Sequence, residues 1–195
     1  MKNLNRSFFA TLRLCGIFLL LAFTVYSQSV PAPKDVLGFT PGDDRKLASW
    51  AQTLEYFKKL DAASDRVQFQ EIGKTTMGVP FVYATITSPE NFKFLEGYKR
   101  INSELADPRK IGSALNVSGG LHRETAAELI KQGKTIVLIT CGIHSDEVGS
   151  ELSSMLIAYK LASSNDANIK KILDNTIILL VPSLNPDGVD IVKNW

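Results

Sequence analysis

Apolar positions recur at two spacings along this chain, and the spacing changes wherever Gly and Pro cluster. Leu47, Trp50, Leu54 and Phe57 fall three or four residues apart, which predicts an amphipathic helix that Asp43 or Asp44 can cap. Val67, Phe69 and Glu71 then alternate with Gln68, Gln70 and Ile72, a weak strand pattern. After Thr75, Thr76, Met77 and Gly78, the β-branched and aromatic run over residues 79–87 predicts a stronger strand, so the two read as a hairpin. Ser88, Pro89 and Glu90 open a second helical stretch in which Phe92, Phe94, Leu95, Tyr98 and Ile101 share one face, and Pro108 closes it. Residues 107–122 contain Gly112, Gly119 and Gly120 and read as a loop; residues 125–132 read as a short helix ended by Gly133.

Further along, residues 135–143 are almost continuously apolar, the pattern of a strand buried on both faces. Val148, Leu152, Met155, Leu156 and Tyr159 follow at helical spacing, residues 169–173 add a helical turn, and residues 176–184 are a second apolar strand. Strand, helix, strand with both strands buried predicts a crossover unit in a largely parallel sheet. The expected class is α/β: the N-terminal part of a mixed, mostly parallel sheet flanked by helices. The sequence ends at Trp195 soon after that strand, with no capping element expected, so residues 43–195 read as a portion of a larger domain. No internal repeat is evident.

The first residues change the picture of charge. Lys2, Arg6 and Arg13 form a basic start, and residues 14–25 are an uncharged apolar run ahead of Val25, Tyr26 and Ser27. This is the layout of a secretory signal peptide over residues 1–27, cleaved after Ser27, and the run falls short of the roughly 20 apolar residues that span a bilayer. Cys15 lies within it without the small residues that precede a lipidated cysteine. Removing the three basic residues takes the formal charge from +2 to −1. A near-neutral mature chain excludes an electrostatic footprint for nucleic acid, and no stable membrane association is expected after cleavage. The mature protein is expected to be secreted or periplasmic, with residues 28–42 as an extended leader rich in Pro and small residues. Cys141 alone survives processing, so no disulfide forms within this sequence and the core rests on packing.

Candidate chemistry sits where the first apolar strand gives way to a helix, over Cys141, Gly142, Ile143, His144, Ser145, Asp146 and Glu147. The carboxyl edge of an open α/β sheet is where ligands bind. A spacing of three brings His144 and Glu147 toward one point if the residues between them start a helical turn. Imidazole and carboxylate suit zinc, and a catalytic zinc takes three protein ligands and keeps one position open. Asp146 reads as a solvated carboxylate at the helix start, and Cys141, in extended chain before the motif, as a core residue. Asn185, Pro186, Asp187 and Gly188 follow the next strand and read as a turn. Residues 116–118 match a glycosylation acceptor, to which no weight attaches.

Together, the two segments at neighbouring strand ends resemble the zinc carboxypeptidases of the carboxypeptidase A type. In that family a Gly-x-His-x-x-Glu segment carries two zinc ligands and an Asn-Pro-Asp-Gly turn follows the next strand. The resemblance runs over roughly residues 47–195 and includes the first helix and a hairpin at Gly73, Lys74 and Thr75. It implies zinc as cofactor, a peptide or protein substrate, His144 and Glu147 as metal ligands, and Asn185, Pro186, Asp187 and Gly188 as a site-lining turn. Residues 43–195 become a portion of a catalytic domain. The family's third ligand is a histidine well downstream of that turn, and its catalytic glutamate and substrate-binding arginines also come later. None has a counterpart here, so the general base is expected beyond Trp195 and the chain by itself is expected to be inactive. His122 precedes the motif and reads as a loop histidine. Two alternatives stand beside the carboxypeptidase reading: a zinc amide hydrolase of the aspartoacylase or succinylglutamate desuccinylase kind, and a metal-free binding protein on the same scaffold.

Overall fold

The computed structural model describes residues 29–107, 109 and 125–195. The signal segment, His122 and residues 116–118 lie outside them. The leader is not uniformly extended: Pro33–Leu37 forms a short helix, α1. Pro33 takes the first helical position, the Asp35 carboxylate accepts the Ala32 N–H at 2.9 Å, and Gly38, with φ +77°, turns the chain away. Helix α2 spans Trp50–Ala63, so Leu47 lies ahead of it and neither Asp43 nor Asp44 caps it. Ser49 is the cap. Its hydroxyl accepts the Gln52 N–H at 3.2 Å, and the Gln52 side-chain oxygen accepts the Ser49 N–H at 3.0 Å, the reciprocal pair of a capping box. Asp43 instead accepts the Thr40 N–H at 2.8 Å and closes the preceding turn.

The expected hairpin forms from β1 (Val67–Lys74) and β2 (Pro80–Ile86), paired from Val67↔Ile86 to Lys74↔Pro80 with an irregularity between Glu71 and Gly73. Gly78, at φ +82°, makes the reversal between them. The second helical stretch is two helices, α3 (Pro89–Lys93) and α4 (Leu95–Ala106). The break falls at Phe94, whose φ of −117° and ψ of 18° leave the helical region. The single face expected from the spacing is therefore divided: Tyr98 and Ile101 are buried and Phe94 is exposed. Helix α5 (Ala126–Gln132) runs as predicted, with Thr125 accepting the Glu128 N–H as N-cap and Gly133 at its end.

Strand β3 (Thr135–Thr140), helices α6 (Val148–Ser163) and α7 (Ala167–Asn175) and strand β4 (Thr176–Val181) form the predicted crossover. β3 and β4 pair in parallel, Thr135↔Thr176 through Thr140↔Val181. The sheet order is β1-β2-β4-β3, and the β1–β2 and β2–β4 pairings are antiparallel. The sheet is thus mixed, and among the described residues its parallel part is the crossover alone. The last residues, expected to hold no capping element, form helix α8 (Pro186–Asn194). It packs at the start of α2, where the Asp190 carboxylate accepts the Trp50 N–H at 2.9 Å.

Side chains of β4 alternate between two cores. Ile178 and Leu180 join Tyr56, Phe57 and Leu60 of α2 and Met155 of α6 on one face; Ile177 meets Tyr98, Ile101 and Leu129 of α4 and α5 on the other. Large side chains buried this fully contribute about 1.5–3 kcal/mol each, so the helices sandwich β4 from both sides. β3 departs from expectation. Val137 and Ile139 pack toward the α2–α6 core, but Ile136 and Leu138 are 41% and 63% exposed. The continuous apolar run predicts burial on both faces; as an edge strand, β3 has only one face covered by the described residues. No helix among them is long and apolar enough to cross a membrane.

Candidate metal centre

The parallel strands stay clasped beyond their ends. Cys141 N–H donates to the Val181 C=O at 3.0 Å, Leu184 N–H to the Cys141 C=O at 2.8 Å, and Asn185 N–H to the Gly142 C=O at 3.2 Å. Gly142 then turns the chain out of the sheet at φ +55°, where a side chain would be strained and its Cβ would meet Ser183 Oγ at 3.1 Å. From there the chain bends through His144, and the Glu147 N–H donates to the His144 C=O at 3.1 Å. Glu147 is the residue that caps α6. The turn is not yet helical, as the spacing argument expected, but it has the same consequence. His144 Nδ1 and Glu147 Oε1 lie 3.4 Å apart, with both side chains open to solvent.

The 185–188 segment is not a free turn but the cap and first turn of α8. Asn185 is the N-cap, its side-chain oxygen accepting the Gly188 N–H at 3.2 Å, and Pro186 stands at the first helical position. The Asp187 carboxylate accepts from the Thr75 hydroxyl and from the Met77 N–H, gripping the tip of the β1–β2 hairpin. Ser145, between His144 and Glu147 in sequence, donates its hydroxyl to the Asn185 C=O at 3.3 Å. It rests on Gly188 so closely that a Cβ there would fall 1.9 Å from Ser145 Oγ and 2.7 Å from its Cβ. The turn is therefore adjacent to the His144 loop and buttresses it from below.

One ionisable group near the site escapes the sequence reading. Glu151, one helical turn beyond Glu147, is 6% exposed and its Oε1 lies 3.2 Å from the Thr53 hydroxyl of α2. Burial pushes its carboxyl from the ordinary 4.5 up to about 7, with the Thr53 hydrogen bond opposing and the Asp190 charge adding. Its position three residues after Val148, on the stripe that carries Leu152 and Met155, is the signal that could have marked it. Cys141 is buried in the core, as expected, and burial followed by the Glu151 charge pushes its thiol up. Asp146 is exposed, also as expected.

Two zinc ligands, an imidazole nitrogen and a carboxylate oxygen, each about 2.0–2.2 Å from the ion at a tetrahedral angle, stand about 3.4 Å from each other. The His144–Glu147 separation has this value, so the pair fits two vertices of such a site. Among the described residues no group of three or more His, Cys, Asp or Glu side chains is placed to hold a metal. The pair fits; the third vertex is not among them.

The mixed sheet thus presents an imidazole and a carboxylate just past the carboxyl end of β3. The zinc carboxypeptidase family model matches residues 53–195, and the chain belongs to the zinc carboxypeptidase family. Among solved structures, it is similar to thrombin activatable fibrinolysis inhibitor at 12% identity and a TM-score of 0.52, covering 83% of this chain and 32% of that one. It is also similar to the carboxypeptidase A of Helicoverpa armigera at 15% identity and a TM-score of 0.50, covering 84% of this chain and 34% of that one. Identities this low carry the fold alone. The chain spans about a third of the length of either protein.

Proposed function

We propose that this chain forms the first half of the metal centre of a zinc metallocarboxypeptidase that hydrolyses peptide bonds in peptide or protein substrates. The observation that carries the proposal is the 3.4 Å approach of His144 Nδ1 to Glu147 Oε1 at the carboxyl edge of the β3–β4 pair. Membership of the zinc carboxypeptidase family supports it. Bound zinc would polarise the substrate carbonyl and lower the pKa of a bound water toward about 7. His144 and Glu147 would hold the ion as ligands, a part that leaves proton transfer to another group. The turn closed between His144 C=O and Glu147 N–H keeps their side chains together, and the 185–188 segment supports that turn through Ser145. None of the described residues takes the part of general base or third ligand in this proposal. The 195-residue chain alone is accordingly expected to bind zinc weakly and to turn over nothing.

Metal analysis of the full-length protein tests the proposal. Wild type should carry one zinc per chain and cleave C-terminal residues from peptides, and His144→Ala and Glu147→Ala should each lose both. Unchanged zinc content in the double variant would end the reading, as would metal-dependent turnover by the 195-residue chain. We also propose secretion or export to the periplasm, supported by the basic and apolar pattern of residues 1–27.

A further inference from the structure

Ser150, in the first turn of α6, touches both ends of the loop that carries His144 and Glu147. Its hydroxyl oxygen accepts the Gly142 N–H at 2.9 Å, and the same hydroxyl donates to the Glu147 C=O at 3.3 Å. The first contact is with the residue at which the chain leaves the sheet; the second is with the residue at which it enters the helix. The other side of Gly142 is held independently. Its C=O accepts from the buried Ser183 hydroxyl at 3.2 Å and from the Asn185 N–H at 3.2 Å. Gly142 is itself buried, and the partner its N–H finds is the Ser150 hydroxyl. One hydroxyl thus uses its acceptor and its donor to link the two ends of the loop, and neither contact reaches the donor atoms of His144 or Glu147.

We propose that Ser150 is a positioning residue that fixes the separation of the His144 imidazole and Glu147 carboxylate for a shared metal ion, an inference that rests on the metal reading above. Removing the hydroxyl frees the Gly142 N–H and leaves the Glu147 C=O to the Ser150 N–H alone, at 3.2 Å, so the link between the two loop ends is lost and the metal must then order the loop as it binds. Groups that orient ligands without touching the metal commonly change its affinity by about 10–100-fold. Because Ser150 acts through backbone alone, the lower end, about tenfold, is expected.

The test is zinc affinity of the full-length protein, measured by chelator competition, with the thermal midpoint of each metal-free variant recorded in parallel. Ser150→Ala should bind zinc about tenfold more weakly, and Ser150→Thr, which keeps the hydroxyl, should return to wild type. Ser153→Ala is the control: that hydroxyl donates to Gly149 C=O on the same helix and does not touch the loop ends. A Ser150→Ala protein with a lowered midpoint and wild-type zinc affinity would reduce Ser150 to a fold residue and overturn the inference. Should that variant not fold, the near-isosteric pair Ser150→Thr and Ser150→Val decides, with weaker binding expected only for Val. Hydrogen exchange at the Gly142 amide of wild type provides a further check; rapid, unprotected exchange would overturn the proposal. His144→Ala separates the two levels. If it retains wild-type zinc, the metal reading fails and takes the Ser150 inference with it; if it loses zinc while Ser150→Ala does not, only the inference fails.

Discussion

Replacing Glu151 with glutamine should remove most of the pH dependence of stability between about pH 4.5 and 7. Glu151 lies between α6 and α2 with the Thr53 hydroxyl against it, and burial lifts its carboxyl from 4.5 to about 7. Thr53 Oγ1 is 3.2 Å from both Glu151 Oε1 and the Ser49 C=O, and a hydroxyl has one hydrogen to give, so its donation to the carboxylate only partly offsets the effect of burial. The native state therefore holds this proton more tightly than the unfolded chain. Stability is greatest below pH 4.5, falls as pH rises toward 7, and is level above, where both states are ionised. A shift from 4.5 to about 7 corresponds to about 3 kcal/mol at 1.36 kcal/mol per unit, of which about 2.5 falls between pH 5 and 8. Urea unfolding of wild type and Glu151→Gln at those two pH values measures it. Asp61, whose carboxyl burial also raises, acts with the same sign in both proteins, so their difference isolates Glu151. The Cys141 thiol titrates above this window. Wild type should lose about 2.5 kcal/mol more than the variant; equal losses would refute the reasoning.

Two other expectations follow from single positions. Gly188→Ala puts a methyl group 1.9 Å from Ser145 Oγ and 2.7 Å from Ser145 Cβ, so rotating the hydroxyl does not relieve it. It should lose about 1–3 kcal/mol in urea unfolding and weaken zinc binding, whereas Gly149→Ala, with nothing within 4 Å, should be neutral or gain up to about 1 kcal/mol as a helical alanine. If the leader is processed after Ser27, protein recovered from the medium or periplasm begins at Gln28, which N-terminal mass spectrometry reads directly; an intact Met1 terminus would refute cleavage.

The elements that were legible in advance are those fixed by neighbours a few residues away. Helix α5 has its cap and its stop in Thr125 and Gly133, and the crossover is written in two apolar runs around a helical stripe. Where the sequence misled, two local signals competed or a distant one decided. Asp43 and Ser49 are both good caps; Ser49 wins because Gln52 stands three residues on and the Asp190 carboxylate reaches across from α8 to the next N–H. The spacing predicts Phe94 on a helix face, and periodicity does not register the change of backbone angle that occurs there. β3 and β4 are both strongly apolar, yet among the described residues only β4 has helices on both sides, and β3 lies at the edge of the strand order.

The same division runs through the metal centre and explains why its two motifs occur together. His144 and Glu147 are three residues apart, so a single turn brings them together and spacing alone could anticipate it. Their support comes from segments that no local pattern connects. Asp187 holds the hairpin tip through Thr75 and Met77, Asn185 receives Ser145, and Gly188 is bare of side chain at the point where Ser145 rests. Read along the chain, Asn-Pro-Asp-Gly is a run of turn-forming residues; in space each of these three has a separate contact. A methyl group at Gly188 would force the His144 loop off the start of α8, and loss of the Asp187 carboxylate would release the hairpin from that same helix. The geometry of a pair set by one turn thus depends on a helix start that lies one strand further along the sequence.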